Sequence, residues 1–162
     1  NTNFALLVSK TFTEPFKEPI TYGKYIASLA NMLGGGVIVQ RLGDLLEGRR
    51  STYGRLAKSM VEPTLKDATP GDLTLVLPYR YIKNILEMLE ALNSFMPGVW
   101  ARHTLLYGVE VKYYSARVKV DTQMHSEVEG LYAIGDGAGI TRSLAQASVS
   151  GVIAARGIAS RE

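Results

Sequence analysis

In the stretch Gly130-Leu131-Tyr132-Ala133-Ile134-Gly135-Asp136-Gly137-Ala138-Gly139, a short apolar run passes into three glycines in five residues. A helix-like run then continues to about Ser160. Leu131 to Ile134 has the pattern of a buried strand. Gly135, Gly137 and Gly139 allow backbone N–H groups to approach a ligand with no Cβ in the way. Ala147, Gly151 and Ala155 share a helical face at four-residue spacing, a face suited to very close packing. Strand, glycine turn and helix N-terminus together predict a phosphate or carbonyl-oxygen site, because unpaired N–H groups and the positive dipole end converge there. Asp136 adds a fixed acceptor at the strand's carboxyl end, where ligands of open α/β sheets bind. The entry fingerprint of a dinucleotide fold is excluded. The glycines run G-D-G-A-G rather than G-x-G-x-x-G, and the residues after Gly139 leave no room for the next strand and its acidic ribose ligand.

Upstream, Phe4 to Val8 reads as a strand and 11–19, with Pro15 and Pro19, as a loop. Tyr22, Tyr25, Ile26, Leu29 and Leu33 recur at helical spacing, and Gly34-Gly35-Gly36 caps that helix. Ile38, Leu42, Leu45 and Leu46 predict a short second helix. Leu73 to Leu77 stands between turn signals as a strand. Pro78 opens the clearest amphipathic helix, with Ile82, Ile85, Leu86, Leu89, Leu92 and Met96 as its core stripe and Pro97-Gly98 as its end. Leu105 to Tyr114 and Ala116 to Val120 are strand-rich, with Gly108 a place for a bulge or close approach. The order β-α-α-β-α-β-β-β-α predicts a mixed-sheet α/β or α+β fold.

A hydrophobic share of 46% is ample for a packed core. With no cysteine, the chain has no disulfide, thiolate metal site or dithiol redox centre. His103 and His125 are too few and too separated to predict a metal site, so none is expected. A net charge of +3 does not by itself indicate nucleic acid or membrane. The apolar-looking tract 131–159 contains Asp136, Arg142, Gln146 and Arg156, which excludes a membrane span, and no signal peptide is legible. A cytoplasmic location is the resulting expectation. The chain opens at Asn1, without methionine and on strand-like residues, which predicts a fragment of a longer protein.

Arg41, Arg49, Arg50, Arg55 and Lys58 make 41–58 locally basic, against Asp44 and Glu47 alone. Such a run reads as a site for an anionic substrate or phosphate, or more simply as a solvated face, and the second reading is preferred.

The Gly135-Asp136 turn, its preceding apolar run and its small-residue helix resemble the carboxyl-terminal motif of two-dinucleotide-binding-domain flavoproteins. With Gly108-Val109-Glu110-Val111-Lys112 and Tyr114-Ser115-Ala116-Arg117-Val118 before it, the tail resembles that of a group of uncharacterised prokaryotic FAD-dependent dehydrogenases. Gly48-Arg49-Arg50-Ser51-Thr52 and Pro70-Gly71-Asp72-Leu73 fit less specifically. The resemblance implies FAD as cofactor, with Asp136 on its ribityl chain and Gly135, Gly137, Ala138 and Gly139 toward its pyrophosphate or ring. It also implies a boundary near residue 105. Residues 1–105 would be an inserted substrate domain, and 106–162 the last strand, turn and helix of a Rossmann-like FAD-binding domain. The G-x-G-x-x-G segment for the ADP half is absent from this chain, so the N-terminal FAD-binding segment is the partner such a fragment needs.

Within this frame Glu110, Ser115 and Arg117 are the candidate substrate contacts, Arg117 for an anionic group. Residues of this kind on a strand more often face solvent or pair with each other. No Ser-His-Asp or paired-carboxylate arrangement is legible, so no catalytic residue is named. The expected function is that of an FAD-dependent oxidoreductase, a dehydrogenase whose substrate the sequence does not name, with the isolated fragment inactive. The alternative is a non-catalytic module that binds nucleic acid such as tRNA through 41–58. Nucleic acid is the weaker expectation, since only Tyr53 offers an aromatic ring on that patch.

Overall fold

Pro19 at the first helical position and Gly35 at the end, with φ +65° and its N–H donated to the Asn31 carbonyl, bound helix α1, Pro19–Gly34. Gly23, Ile26 and Ala30 form its buried face. The computed structural model describes residues 2–113 and 116–160. It divides into two units, Asn1–Val111 and Lys112–Glu162. Helices and a small mixed sheet give the α/β class that the element pattern predicts. Among the described residues no helix is long and apolar enough to cross a membrane.

The first unit is built on a three-stranded sheet in the order β2-β1-β3. Strand β1 is Ile38–Arg41, β2 is Thr69–Pro70 and β3 is Leu105–Gly108. β1 runs parallel to β2 and antiparallel to β3, with Ile38 opposite Gly108 and Arg41 opposite Leu105. The expected helix from Ile38 is therefore corrected. The chain is extended to Arg41 and turns helical only in α2, Leu42–Leu46. Ile38, Val39 and Gln40 are all almost fully buried, the continuous burial of a central strand covered on both faces. Ile38 joins a core with Ile26, Ala30, Leu42, Leu73, Ile82 and Leu89, while Val39 packs with Leu56 and Ala68. Gly71 admits β1 closely, since a Cβ there would stand 2.8 Å from Ile38 Cγ2.

Two more expected strands do not form in this unit. Phe4 to Val8 joins no strand among the described residues, and Phe4 and Leu7 are exposed while Leu6 packs on the core. At Leu73–Leu75 the chain makes a 3₁₀ turn, capped by Asp72 accepting from the Thr74 N–H at 2.9 Å. Leu73 and Val76 point inward and Leu75 outward, the three-residue period of that turn. Helix α3 is Tyr53–Ala57, capped by Thr52, and α4 is Tyr79–Leu92. α4 realises the expected stripe, with Ile82 and Leu89 buried, but stops before Met96. β3 ends at Gly108, where a Cβ would press on Leu73 at 3.0 Å, and the expected strand does not continue over 109–113.

In the second unit the expected strands at 116–120 and 131–134 reduce to isolated bridges, Val120 with Ser126 and His125 with Tyr132. Leu131 and Ile134 are about half exposed, and a ladder needs neighbours that the described residues of the unit do not offer. Asp136–Ala138 is a 3₁₀ turn, and α5 is Leu144–Ala159 with Ser143 as N-cap. The close-packing face of α5 is also shifted from expectation. Ser150, Ala154 and Gly157 are buried while Ala155 is exposed. Gly157 lies against Gln123, where a Cβ would stand 3.2 Å from the Gln123 Cβ.

Candidate functional site

The glycine turn of the second unit is held by backbone and hydroxyl bonds. Gly135 and Gly139 take φ values of +72° and +70°, a region that side chains rarely adopt. The Gly135 N–H donates to Ser150 Oγ at 3.0 Å, and that hydroxyl donates to the Ala147 carbonyl at 2.7 Å, tying the turn to α5. The Gly139 N–H closes the 3₁₀ turn on the Asp136 carbonyl at 3.0 Å. These two amides of the stretch are engaged within the protein, so they do not join the ligand-facing set that the sequence suggests.

From the other side, Val118 N–H donates to the Ala138 carbonyl at 3.0 Å. A Cβ on Gly139 would stand 2.8 Å from Arg117 Cα and 2.9 Å from the Ala116 carbonyl oxygen. The fold thus brings Arg117 beside the turn through its backbone, with its side chain exposed at a shallow hollow shared with Val118, Lys119 and Val120. Gly137 differs from both neighbouring glycines. Its φ lies outside the left-handed region, and none of the described residues approaches within 4 Å of where its Cβ would be.

Asp136 is exposed, and its Oδ1 accepts from Thr141 Oγ1 at 2.5 Å. The start of α5 is closed reciprocally. Ser143 Oγ accepts from the Gln146 N–H, and Gln146 Oε1 accepts from the Arg142 N–H at 3.1 Å. Of the other candidates, Ser115 lies outside the described residues, with Tyr114. Glu110 is exposed and belongs to the first unit, past the end of β3.

A second polar centre, which the sequence reading did not single out, lies in the first unit at Asp44, 1% exposed. Ser51 Oγ donates to Asp44 Oδ2 at 2.7 Å and accepts from the Arg41 N–H at 2.9 Å. Arg49 Nε donates to Asp44 Oδ1 at 2.9 Å, and Arg41 Nη1 and Arg55 Nε stand 3.9 and 3.8 Å from the carboxylate. Glu47 pairs with Arg49 and with Arg102. The solvated-face reading of 41–58 holds for the exposed Arg49, Arg50 and Lys58 and is corrected at Arg41, whose side chain is only 13% exposed. Its Nε is a buried donor with no acceptor among the described residues.

The buried Gln40 side chain extends the same network. Its amide donates to the Arg49 carbonyl at 2.9 Å and accepts from the Leu73 N–H at 2.8 Å. Ser51 N–H reaches the Gly71 carbonyl at 2.9 Å. The two less specific motifs, 48–52 and 70–73, therefore meet as the stitching of β1. The sequence signal for this centre was Asp44, one of only two acids amid arginines at 41, 49 and 55.

Burial alone would raise the Asp44 carboxyl. Hydrogen bonds from Ser51 and Arg49 and the charges of Arg41 and Arg49 outweigh it, and its pKa lies below the ordinary 3.8. The folded state therefore holds this proton less readily than the unfolded chain does. The resulting stabilisation is complete above the unfolded value and is lost as pH falls through the folded one. The stability gap between wild type and Asp44→Asn is thus expected to be full at neutral pH and to narrow steadily below about pH 4, as urea unfolding across that range would read. A gap that stays constant down to pH 2 would contradict the assignment. Burial, with a hydrogen bond to Tyr22 that favours the neutral phenol, pushes Tyr81 up.

The histidines serve local structure. His103 Nδ1 accepts from the Met60 N–H at 3.3 Å, and His125 Nε2 accepts from the Gly130 N–H at 3.1 Å beside the Tyr132 ring. Among the described residues no three His, Asp or Glu side chains are grouped to hold a metal. Compared with known proteins, the chain matches no family model and no curated protein.

Proposed function

We propose that the second unit supplies the flavin-facing turn and helix of an FAD-dependent oxidoreductase, a dehydrogenase of which this chain is the carboxyl-terminal part. The observation that carries the reading is Gly137. Conformation accounts for Gly135 and Gly139, and packing for Gly139 as well, but neither asks for glycine at 137. A backbone left bare in open space on an exposed turn suits a ligand that must come closer than a Cβ allows. Asp136 stands one residue away, an exposed carboxylate suited to the hydroxyls of a ribityl chain. The N-terminus of α5, sixteen residues long, adds a partial positive charge for an anionic group.

Bound FAD would supply the hydride chemistry, and the chain's residues would bind and orient it. Asp136 would accept from a ribityl hydroxyl and Gly137 would line the approach, while Ala138, buried and with its carbonyl taken by the Val118 N–H, would support the turn from behind. The ADP half would need the G-x-G-x-x-G segment that this chain lacks. The inserted substrate domain, with Glu110, and the substrate role of Arg117 belong to the same reading, as does a cytoplasmic location. The alternative, nucleic-acid binding through 41–58, draws on few cations. Arg41, Arg49 and Arg55 are turned onto Asp44, while Arg50 and Lys58 remain exposed.

The test is a flavin titration of the full-length protein, with apoprotein melting beside it. Asp136→Ala removes a charge-assisted bond and is expected to weaken FAD by about tenfold to a hundredfold, from roughly 1.5–3 kcal/mol. Asp136→Asn keeps an acceptor and should lose less. Gly137→Ala should leave apoprotein melting unchanged and still weaken FAD. If both Ala variants bind FAD as wild type does, the turn is not a flavin site.

A further inference from the structure

Thr141 lies between the 3₁₀ turn and α5, two residues before the Ser143 cap. Its hydroxyl and the Asp136 carboxylate are 2.5 Å apart, within the short range of O–H···O⁻ bonds. An exposed aspartate on a turn ordinarily samples several rotamers. Here one carboxylate oxygen is held from the helix side by a side chain whose own χ1 is stiff because threonine is β-branched. Thr141 is half-buried, and the segment behind it is closed by the Gln146–Arg142 and Ser143–Gln146 bonds. The carboxylate is thereby fixed in direction relative to the start of α5.

We infer that Thr141 is a positioning residue, which orients the Asp136 carboxylate toward a polyol hydroxyl of the flavin side chain. The inference rests on the flavin reading of the turn. Thr141 touches no ligand in this arrangement. It acts by restricting the rotation of the Asp136 carboxylate before a ligand arrives, the way a preorganised group gains affinity. A threonine that merely stitched the turn to the helix would matter to folding and not to the cofactor.

The experiment is an FAD titration of the full-length protein followed by quenching of flavin fluorescence, with melting of each apoprotein. Thr141→Val is expected to weaken FAD about tenfold, the scale of one hydrogen bond, and Thr141→Ser to restore most of it. In an Asp136→Ala background Thr141→Val should add nothing, because the group it positions is gone. Full additivity of the two changes, or an unchanged affinity in a folded Thr141→Val protein, overturns the positioning role. Thr141→Ala serves in place of Thr141→Val should the latter not fold. Unchanged affinity in both Asp136→Ala and Gly137→Ala removes the flavin reading and the inference with it, whereas unchanged affinity in Asp136→Ala alone removes only the inference. Weakening by Asp136→Ala but not by Thr141→Val or Thr141→Ala removes the inference alone.

Discussion

Asp44→Ala is expected to destabilise the first unit by about 3–5 kcal/mol, the range for removing one partner of a buried ion pair. The carboxylate is 1% exposed and holds Ser51 and Arg49 directly, with Arg41 and Arg55 just beyond hydrogen-bond reach. Without it, Arg41 would keep a mostly buried guanidinium beside no acid, and Arg41 Nε already lacks an acceptor among the described residues. The Ser51 hydroxyl would lose its acceptor while still receiving the Arg41 N–H. Asp44→Asn should cost less, since an amide oxygen can still accept from Ser51. Urea unfolding followed by the single tryptophan, Trp100, which packs against the core, would measure both. A loss under about 1 kcal/mol for the alanine variant would mean that the arginines find water instead, as exposed pairs do.

Gly139→Ala carries the second large effect. A left-handed φ of +70° disfavours any side chain, and the added methyl meets backbone atoms of Ala116 and Arg117 rather than a yielding side chain. Strain of roughly 1–2 kcal/mol and overpacking of roughly 1–3 kcal/mol combine to an expected loss of about 2–5 kcal/mol. Gly137→Ala in the same experiment is the internal control, with no expected change in the melting transition read by circular dichroism. Equal melting of the two variants would show that residues 116–118 are not packed against the turn.

Helices were the legible part of the fold. α1, α4 and α5 carry long apolar or small-residue periodicities with Pro, Gly or Ser at their ends, and these signals are local. The sheet was not legible, because its strands are two to four residues long and owe their existence to partners far along the chain. Ile38, Leu42 and Leu45 fit a helix as well as they fit a strand followed by a helix. Only the burial of Val39 and Gln40 between them decides the matter. At the glycine turn, Asp136 and the three glycines could be read directly. Thr141 and Ser150 could not, since a hydroxyl that reaches back across a turn leaves no periodic trace. The Asp44 network was hidden for a related reason. In sequence it is a basic run with two acids, and only the strand and two short helices fold those arginines around one of them, Asp44.

The pairing of Ile38 with Gly108 also has a kinetic side. Closing so long a loop costs roughly 4 kcal/mol of chain entropy on the logarithmic law, before a single ladder bond forms. α1 and α4 need no such closure and can form early. β1 can be zipped to β3 only after most of the first unit is assembled, so its amides should report the last cooperative step. In native-state hydrogen exchange, the Ile38 and Gln40 amides, which face β3, would then open only with the whole unit, while the amides of residues 2–12, which have no backbone partner among the described residues, exchange at once.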